Sequence, residues 1–336
     1  LFRSYPDHGV SNMQKLQMVT TSGQNTKVCA IQGNFDDAQS NVKKIFQDQE
    51  MKARLNEMNT TLSSANSINI GRLIPQIVYY VFAYKEMVRK GKIRFGEEIN
   101  FCVPTGNYGN VLAGYYAKCM GLPVKRFLVA SNANHVLYDF LTTGIYDRNR
   151  SFFKTISPSM DILISSNLER LLYYKSGKDA DYIHELMKSL EEKGSYQVRS
   201  DIFKDIQKDF YGGYCDDETC AAIMKEFYEE KGYVLDPHTA VGYKVMKDYQ
   251  KNDATPCVLL ATASPYKFAP AVENAIFQQS NEDEFACMEE LQRKSGARIP
   301  DSLLLLQGAK IRHEDVIDKE DMRDYVEKTV KEMFHD

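Results

Sequence analysis

An α/β fold built on open, mostly parallel sheet is the class this sequence predicts, and three observations predict it. The apolar run Ile99–Pro104 leads into Thr105-Gly106-Asn107-Tyr108-Gly109-Asn110 and then into the helical stretch Val111–Lys118. Gly121-Leu122-Pro123 closes that helix and Arg126–Ala130 reads as the next strand; a β-α-β stretch of this length gives a parallel pair with a right-handed crossover. The strand Lys27–Gln32, followed by a helix to about Asp48, repeats the same order. Alternation of this kind is the α/β signature.

The chain has 336 residues, enough for two domains, with 43% hydrophobic and 26% charged residues, the balance of a packed globular protein. Its net charge of −4 argues against a general binder of nucleic acid or anionic membrane. No apolar run approaches the roughly 18 residues of a membrane-spanning helix. The start, Leu1-Phe2-Arg3-Ser4-Tyr5-Pro6, has neither the apolar core of a signal peptide nor an initiator Met, so the expectation is a chain cut from something longer. The cysteine count is seven, with no C-x-x-C pair; Cys29, Cys102 and Cys257 fall in strand-like runs, and reduced thiols in a cytoplasmic protein are expected. The six histidines are scattered, so no zinc site is expected.

In chain order, residues 1–26 read as loop and then a polar helix around Asn12–Thr20. After the strand Lys27–Gln32, Gly33-Asn34-Phe35-Asp36-Asp37 offers side chains that cap free helix N–H groups. Leu62–Asn69 is a polar connector. Gly71–Lys90, with Leu73, Ile74, Ile77, Val78, Val81, Phe82 and Met87, predicts a helix buried over much of its surface, with Tyr79 and Tyr80 in the core. Pro75 falls near its first turn, where proline is tolerated. Residues 135–235 are more charged and mostly helical, with amphipathic helices over Asp179–Gly194 and Asp217–Lys231. Asp236-Pro237-His238-Thr239-Ala240 opens a helix to about Gln250. Pro256–Ala261 is a strand, Thr262-Ala263-Ser264-Pro265 breaks it, and Phe268–Gln278 is helical. The charged tail ends in a helix near Lys319–Phe334.

Three polar clusters follow strands or open helices: Asn66–Arg72, Thr105–Asn110 and Thr262–Pro265. In open α/β sheets ligands sit outside the carboxyl ends of the strands, which places the second and third clusters on one side. Gly106 and Gly109 allow positive φ and close approach of another group. The first helical turn leaves N–H donors unpaired at the positive end of the dipole, which suits a phosphate; an ordinary strand-to-helix turn is the other reading. Arg72 offers a guanidinium fork that matches an oxyanion, or it is a solvated surface arginine. His238 is either a general base or a residue holding the helix start. Lys267 is either a ligand contact or solvent-facing.

Taken together, these residues resemble threonine synthase, a pyridoxal-phosphate (PLP) enzyme of the tryptophan-synthase-β fold type. The resemblance runs in family order over roughly residues 9–280 through Gln32–Gln39, Asn66–Arg72, Val103–Asn110, Gly121–Phe127, Asp236–Ala240 and Ala261–Phe268. It implies a three-layer PLP fold type II with a helical insertion. It implies that Gly106, Asn107, Tyr108, Gly109 and Asn110 hold the PLP phosphate and that Thr262 bonds the pyridine nitrogen. Asn66, Ser67 and Arg72 are implied to contact the phosphate of O-phospho-L-homoserine. The implied reaction is a step of threonine biosynthesis: a lyase-type γ-elimination of phosphate and β-addition of water give L-threonine.

The lysine that forms the Schiff base in the family lies in a segment ahead of Leu1, so the N-terminal part of the fold is expected to be missing. Neither Lys15 nor Lys267 takes that role, and full activity of this chain is not expected. Ala263-Ser264-Pro265 departs from the family's common Ala-His-Pro. The expected division is 1–65 as the remainder of a small α/β domain, 66–134 with 236–280 as the PLP-binding domain, 135–235 as a helical insertion, and 281–336 as a charged helical tail. The alternative is a non-catalytic threonine-synthase-like protein that binds a phosphate-bearing ligand or a partner. A PLP lyase acting on a different amino-acid phosphate is the third reading. Sequence leaves monomer or homo-oligomer undetermined.

Overall fold

The computed structural model describes residues 2–7, 10–33, 35–63, 66–279 and 281–334. Asn34, the expected cap of the helix Phe35–Gln47, lies outside the described residues, as do the side chains of Asp36 and Asp37. The strands among the described residues are β1 (Phe2–Pro6), β2 (Lys27–Gln32), β3 (Ile99–Pro104), β4 (Val124–Ser131), β5 (Ile145–Asp147), β6 (Ser195–Gln197), β7 (Phe210–Tyr214), β8 (Cys257–Leu259) and β9 (Val316–Asp318). The chain divides into two units, residues 64–279 and residues 1–63 with 280–336.

In the smaller unit β2 is the central strand, parallel to both β1 and β9. Ile31, Met51, Leu55, Met322 and Val326 form one of its apolar clusters, which ties the helices Gln49–Glu57 and Met322–Phe334 to the sheet. The tail 281–336 is therefore part of this unit, not a separate appendage: its strand β9 completes the sheet begun by residues 2–32.

The larger unit is built on a four-stranded parallel sheet ordered β7-β4-β3-β8. Alternation along β3 sends Ile99, Phe101 and Val103 into the cluster shared with Tyr80, Val111, Leu112 and Phe127. Cys102 points the other way, its Sγ 3.1 Å from the carbonyl of Gly242 in the helix Pro237–Gln250. The helices Ile77–Arg89 and Gly109–Cys119 thus cover one face and Pro237–Gln250 the other, giving three layers. The close fit depends on Gly114, where an added Cβ would meet Phe127 and Tyr80 ring carbons at 2.6 Å.

Two expectations need correction here. The helix expected over Gly71–Lys90 is broken into Ile70–Leu73, a 3₁₀ turn Ile74–Gln76, and Ile77–Arg89. Pro75 lacks the N–H that a continuous helix needs there. It is also buried on one side only. Leu73, Tyr80 and Tyr84 face the sheet, whereas Ile74, Val78, Val81 and Phe82 are exposed and Tyr79 is 58% exposed. Apolar residues on all sides predict burial on all sides, but only the sheet-facing row has the sheet to pack on.

The region 135–235 is mostly helical but not an isolated insertion. Its segment Phe210–Tyr214 pairs with Phe127–Ser131 as the edge strand β7. Phe-Tyr-Gly-Gly-Tyr carries two glycines, which weaken any strand signal. The amphipathic helices are Ala180–Lys193, capped by Asp179 and Gly194, and Asp217–Lys231, capped by Asp216 and Gly232.

Candidate phosphate-binding site

β3 ends at Pro104, and the chain turns at its carboxyl end. The Thr105 N–H bonds Ala130 O at 2.9 Å, the last link to β4. Gly106 follows, then Tyr108 with φ 61°, a left-handed residue at the position preceding the helix Gly109–Cys119. No side chain caps this helix, and its first backbone bond is Leu112 N–H to Tyr108 O. The N–H groups of Gly109, Asn110 and Val111 therefore precede the ladder and point out of the helix at its positive end. This is the geometry that binds phosphate.

The loop is held from several sides. Ser165 donates to Gly106 O at 2.8 Å, and an added Cβ on Gly106 would lie 3.0 Å from Ser159 O. The Tyr80 hydroxyl reaches both the carbonyl and the side-chain oxygen of Asn110, 2.8 Å each. Burial pushes the Tyr80 and Tyr108 phenols well above their ordinary value. The Asn107 Oδ1 and Tyr108 hydroxyl are buried without a hydrogen-bond partner, an unspent polar capacity inside the loop.

The segment Asn66–Arg72 comes to the same loop. An added Cβ on Gly109 would meet Ser67 Oγ at 2.6 Å and Ser67 Cβ at 2.7 Å, so only glycine admits this approach. Asn66 Oδ1 accepts from Ile68 N–H at 3.0 Å, and Asn69 caps the short turn Ile70–Leu73 through Gly71 N–H at 2.9 Å. Arg72 lies in that turn and is exposed. Thr262 is also exposed. It lies just past β8, and since Leu260 N–H still bonds Cys102 O, the parallel pairing puts Thr262 at the same sheet end as the loop.

Two residues absent from the sequence reading complete the arrangement. Asn167, fully buried, donates from Nδ2 to Ser67 Oγ at 2.8 Å and to Asn107 O at 2.9 Å. Arg170 donates to Ser67 O and Asn167 Oδ1, 2.8 Å each, and to Ile68 O. Asn167 precedes the helix Leu168–Lys175 but does not cap it, because its side chain is turned to the loop. An Asn three residues before an Arg at a helix start was the available signal, and it reads as an ordinary cap. A cavity of about 660 Å³ is lined by Ile68, Ile70, Tyr116, Arg170, Tyr174 and His184.

His238 has a structural place. Its Nδ1 lies 3.0 Å from Asp236 Oδ1, and Ser159 N–H points at its Nε2 at 3.2 Å. An N–H can donate to Nε2 only if that nitrogen carries a lone pair, so Nδ1 holds the proton and donates to Asp236. With both nitrogens used and 2% exposure, His238 fixes the segment around Ser159 behind Gly106. Lys267 is half-buried, its N–H bonded to Ser264 O, and Lys15 pairs with Asp7 at 3.1 Å. Among the described residues no group of three or more His, Cys, Asp and Glu is placed to hold a metal ion, and no helix is long and apolar enough to cross a membrane.

Residues 239–302 match the family model "Threonine synthase, C-terminal". Human threonine synthase-like 1 is 44% identical over 274 residues, 81% of this chain and 37% of that protein. Threonine synthase of Saccharomyces cerevisiae is 37% identical over 299 residues, 84% of this chain and 56% of that protein. The solved structure of PLP-bound threonine synthase from Brucella melitensis superposes with a TM-score of 0.81 at 35% identity, over 100% of this chain and 65% of that one. The chain therefore resembles threonine synthases along most of its length, while spanning about a third to two thirds of theirs.

Proposed function

We propose that this chain supplies the cofactor-phosphate and substrate-phosphate contacts of a PLP-dependent lyase of the threonine synthase type. The observation that carries the reading is the contact of Ser67 with Gly109: the segment assigned to the substrate phosphate closes directly on the helix N-terminus assigned to the cofactor phosphate. The loop's own geometry suits a phosphate. It has uncapped amides at a helix start and a glycine that no larger residue can replace without displacing Ser67.

In this reading the N–H groups of Gly109, Asn110 and Val111, with Gly106, Asn107 and Tyr108 shaping the turn, hold the phosphate of PLP. Thr262 presents its hydroxyl to the pyridine nitrogen. Asn66, Ser67 and Arg72 take the phosphate of O-phospho-L-homoserine, Arg72 through its guanidinium fork. His238 keeps its proton on Nδ1 and positions the loop instead of exchanging protons with substrate. When bound, PLP serves as an electron sink for carbanions. No lysine of these 336 residues is assigned to the Schiff base, so the chain holds the cofactor by its phosphate end and weakly.

Titration of the 336-residue chain with PLP, followed by absorbance and competed with inorganic phosphate, tests the reading. Weak, reversible binding that phosphate displaces, with no borohydride-trapped adduct at a single lysine, is expected. Stoichiometric trapping at one lysine, or binding indifferent to phosphate, overturns it. A second reading, a protein that binds a phosphate-bearing ligand without forming threonine, draws support from the higher identity to proteins named threonine synthase-like 1 than to the yeast enzyme. Phosphate release and threonine formation from O-phospho-L-homoserine, assayed in the longest form of the protein, separate the two. A PLP lyase acting on a different amino-acid phosphate would release phosphate from that substrate instead.

A further inference from the structure

We infer that Asn167 and Arg170 are positioning residues that clamp the segment Asn66–Arg72 onto the loop Gly106–Asn110, so that the two phosphate contacts form as one unit. The inference rests on the functional reading above for the identity of the ligands, and on geometry for the clamp itself.

Asn167 is the joint. One amide nitrogen serves Ser67 Oγ and Asn107 O, one oxygen serves Arg170, and its own backbone N–H reaches Asn107 O at 3.2 Å. The side-chain amide of Asn167 is thereby satisfied by the loop, the segment and the Arg170 guanidinium, and it bonds none of the backbone N–H groups of the helix it precedes. Arg170 is the second jaw, and its guanidinium reaches only one of the two phosphate elements. Its partners are the carbonyls of Ser67 and Ile68 and the Asn167 side chain; it bonds nothing in the loop 106–110. A guanidinium presents several donors in a fixed plane, so it can engage two successive carbonyls and an amide oxygen together; an ammonium on a flexible stem does this less well.

The division of labour makes different substitutions separable. Asn167→Ala removes a side-chain bond from each element, to Ser67 and to Asn107, and leaves the backbone bond from residue 167 to Asn107 O. Arg170→Ala removes the bonds to the Ser67 and Ile68 carbonyls, leaves the segment with only the Asn167 bond to Ser67 Oγ from this clamp, and leaves the loop with its Ser165, Tyr80 and Thr105 contacts. Arg170→Lys retains the charge and part of the bonding.

The test uses the full 336-residue chain in two arms. In the first, without ligand, amide hydrogen exchange is followed in peptides covering 66–72 and 99–104. Asn167→Ala and Arg170→Ala are expected to speed exchange in 66–72 about tenfold, as loss of a buried hydrogen bond implies, with 99–104 unchanged. In the second, PLP binding is read by absorbance and O-phospho-L-homoserine binding by calorimetry. Asn167→Ala weakens both ligands; Arg170→Ala weakens O-phospho-L-homoserine about tenfold and PLP by less than about twofold, and Arg170→Lys recovers part of the loss. A general loss of stability would move both ligands and both peptides together, and that result overturns the inference. So does exchange in 66–72 that stays at the unsubstituted rate. If the unsubstituted chain binds neither ligand, the functional reading fails by itself, and the exchange arm still decides the clamp.

Discussion

The Tyr80 hydroxyl sits 2.8 Å from the carbonyl oxygen and 2.8 Å from the side-chain oxygen of Asn110, tying the helix Ile77–Arg89 to the start of the helix Gly109–Cys119. Tyr80 is fully buried, stacks edge-on against Phe101 with ring centroids 4.9 Å apart, and packs against Gly114. One side chain thus joins the apolar core to the candidate phosphate loop. Tyr80→Phe keeps the ring and removes the hydroxyl. It is expected to cost about 1 kcal/mol, because the part-buried oxygens of Asn110 lose their donor. Urea unfolding should show a lower midpoint with an unchanged slope.

Gly109→Ala addresses the loop directly. The new methyl group would lie 2.6 Å from Ser67 Oγ, so Ser67 must withdraw. Overpacking of this kind costs about 1–3 kcal/mol. Weaker PLP binding, measured by absorbance titration, should accompany it; unaltered binding would show that Ser67 and Gly109 need not be in contact.

Asp253 gives the pH dependence a sign. Hydrogen bonding from Thr255, then from Lys125 and Tyr249, holds its carboxyl well below the usual carboxylate range. A group whose folded value is depressed stabilises the fold above its unfolded value of about 3.9 and loses that contribution as pH falls toward the folded value. Asp253→Asn should therefore be less stable near neutral pH, by about 1 kcal/mol for an accessible charge pair with hydrogen bonds. The gap should close as pH falls below about 4. Thermal melts of both proteins at a series of pH values measure it.

Cysteine reactivity follows burial. All seven thiols are free, and Cys119 is exposed whereas Cys29, Cys102, Cys215, Cys220 and Cys287 are buried. Burial raises Cys102 well above its ordinary value and pushes Cys215 up to about 12, which leaves little thiolate to react. Labelling of the native protein with a maleimide should modify Cys119 first, and the buried thiols only after denaturant is added. Mass spectrometry of the labelled peptides reads the order.

Local chemistry made much of this molecule legible. Asp179 and Asp236 stand at helix starts that the sequence predicts, Asp216 caps the third helix one residue ahead of the expected Asp217, and Gly194 and Gly232 close their helices with φ of 76° and 64°. The strand, glycine turn and uncapped helix of residues 99–119 are equally local, and so are the residues that carry the likeness to threonine synthase. β7 was not legible, because its two glycines give no strand pattern and its identity comes from pairing with β4. The exposed row Ile74, Val78, Val81 and Phe82 was not legible either, since composition reports that a residue is apolar and not whether anything lies over it.

The sequence by itself determined the α/β order, the loop able to receive a phosphate, and the chemical type of each candidate contact. These follow from backbone preferences and from spacing within a few residues. Only the tertiary structure decided that Ser67 closes on Gly109, that Asn167 reaches back 100 residues to hold it, and that His238 is spent on Asp236 and Ser159. A polar side chain is assigned by whichever unsatisfied group the returning chain brings within about 3 Å, and that is set by packing of the whole unit, which no local pattern records.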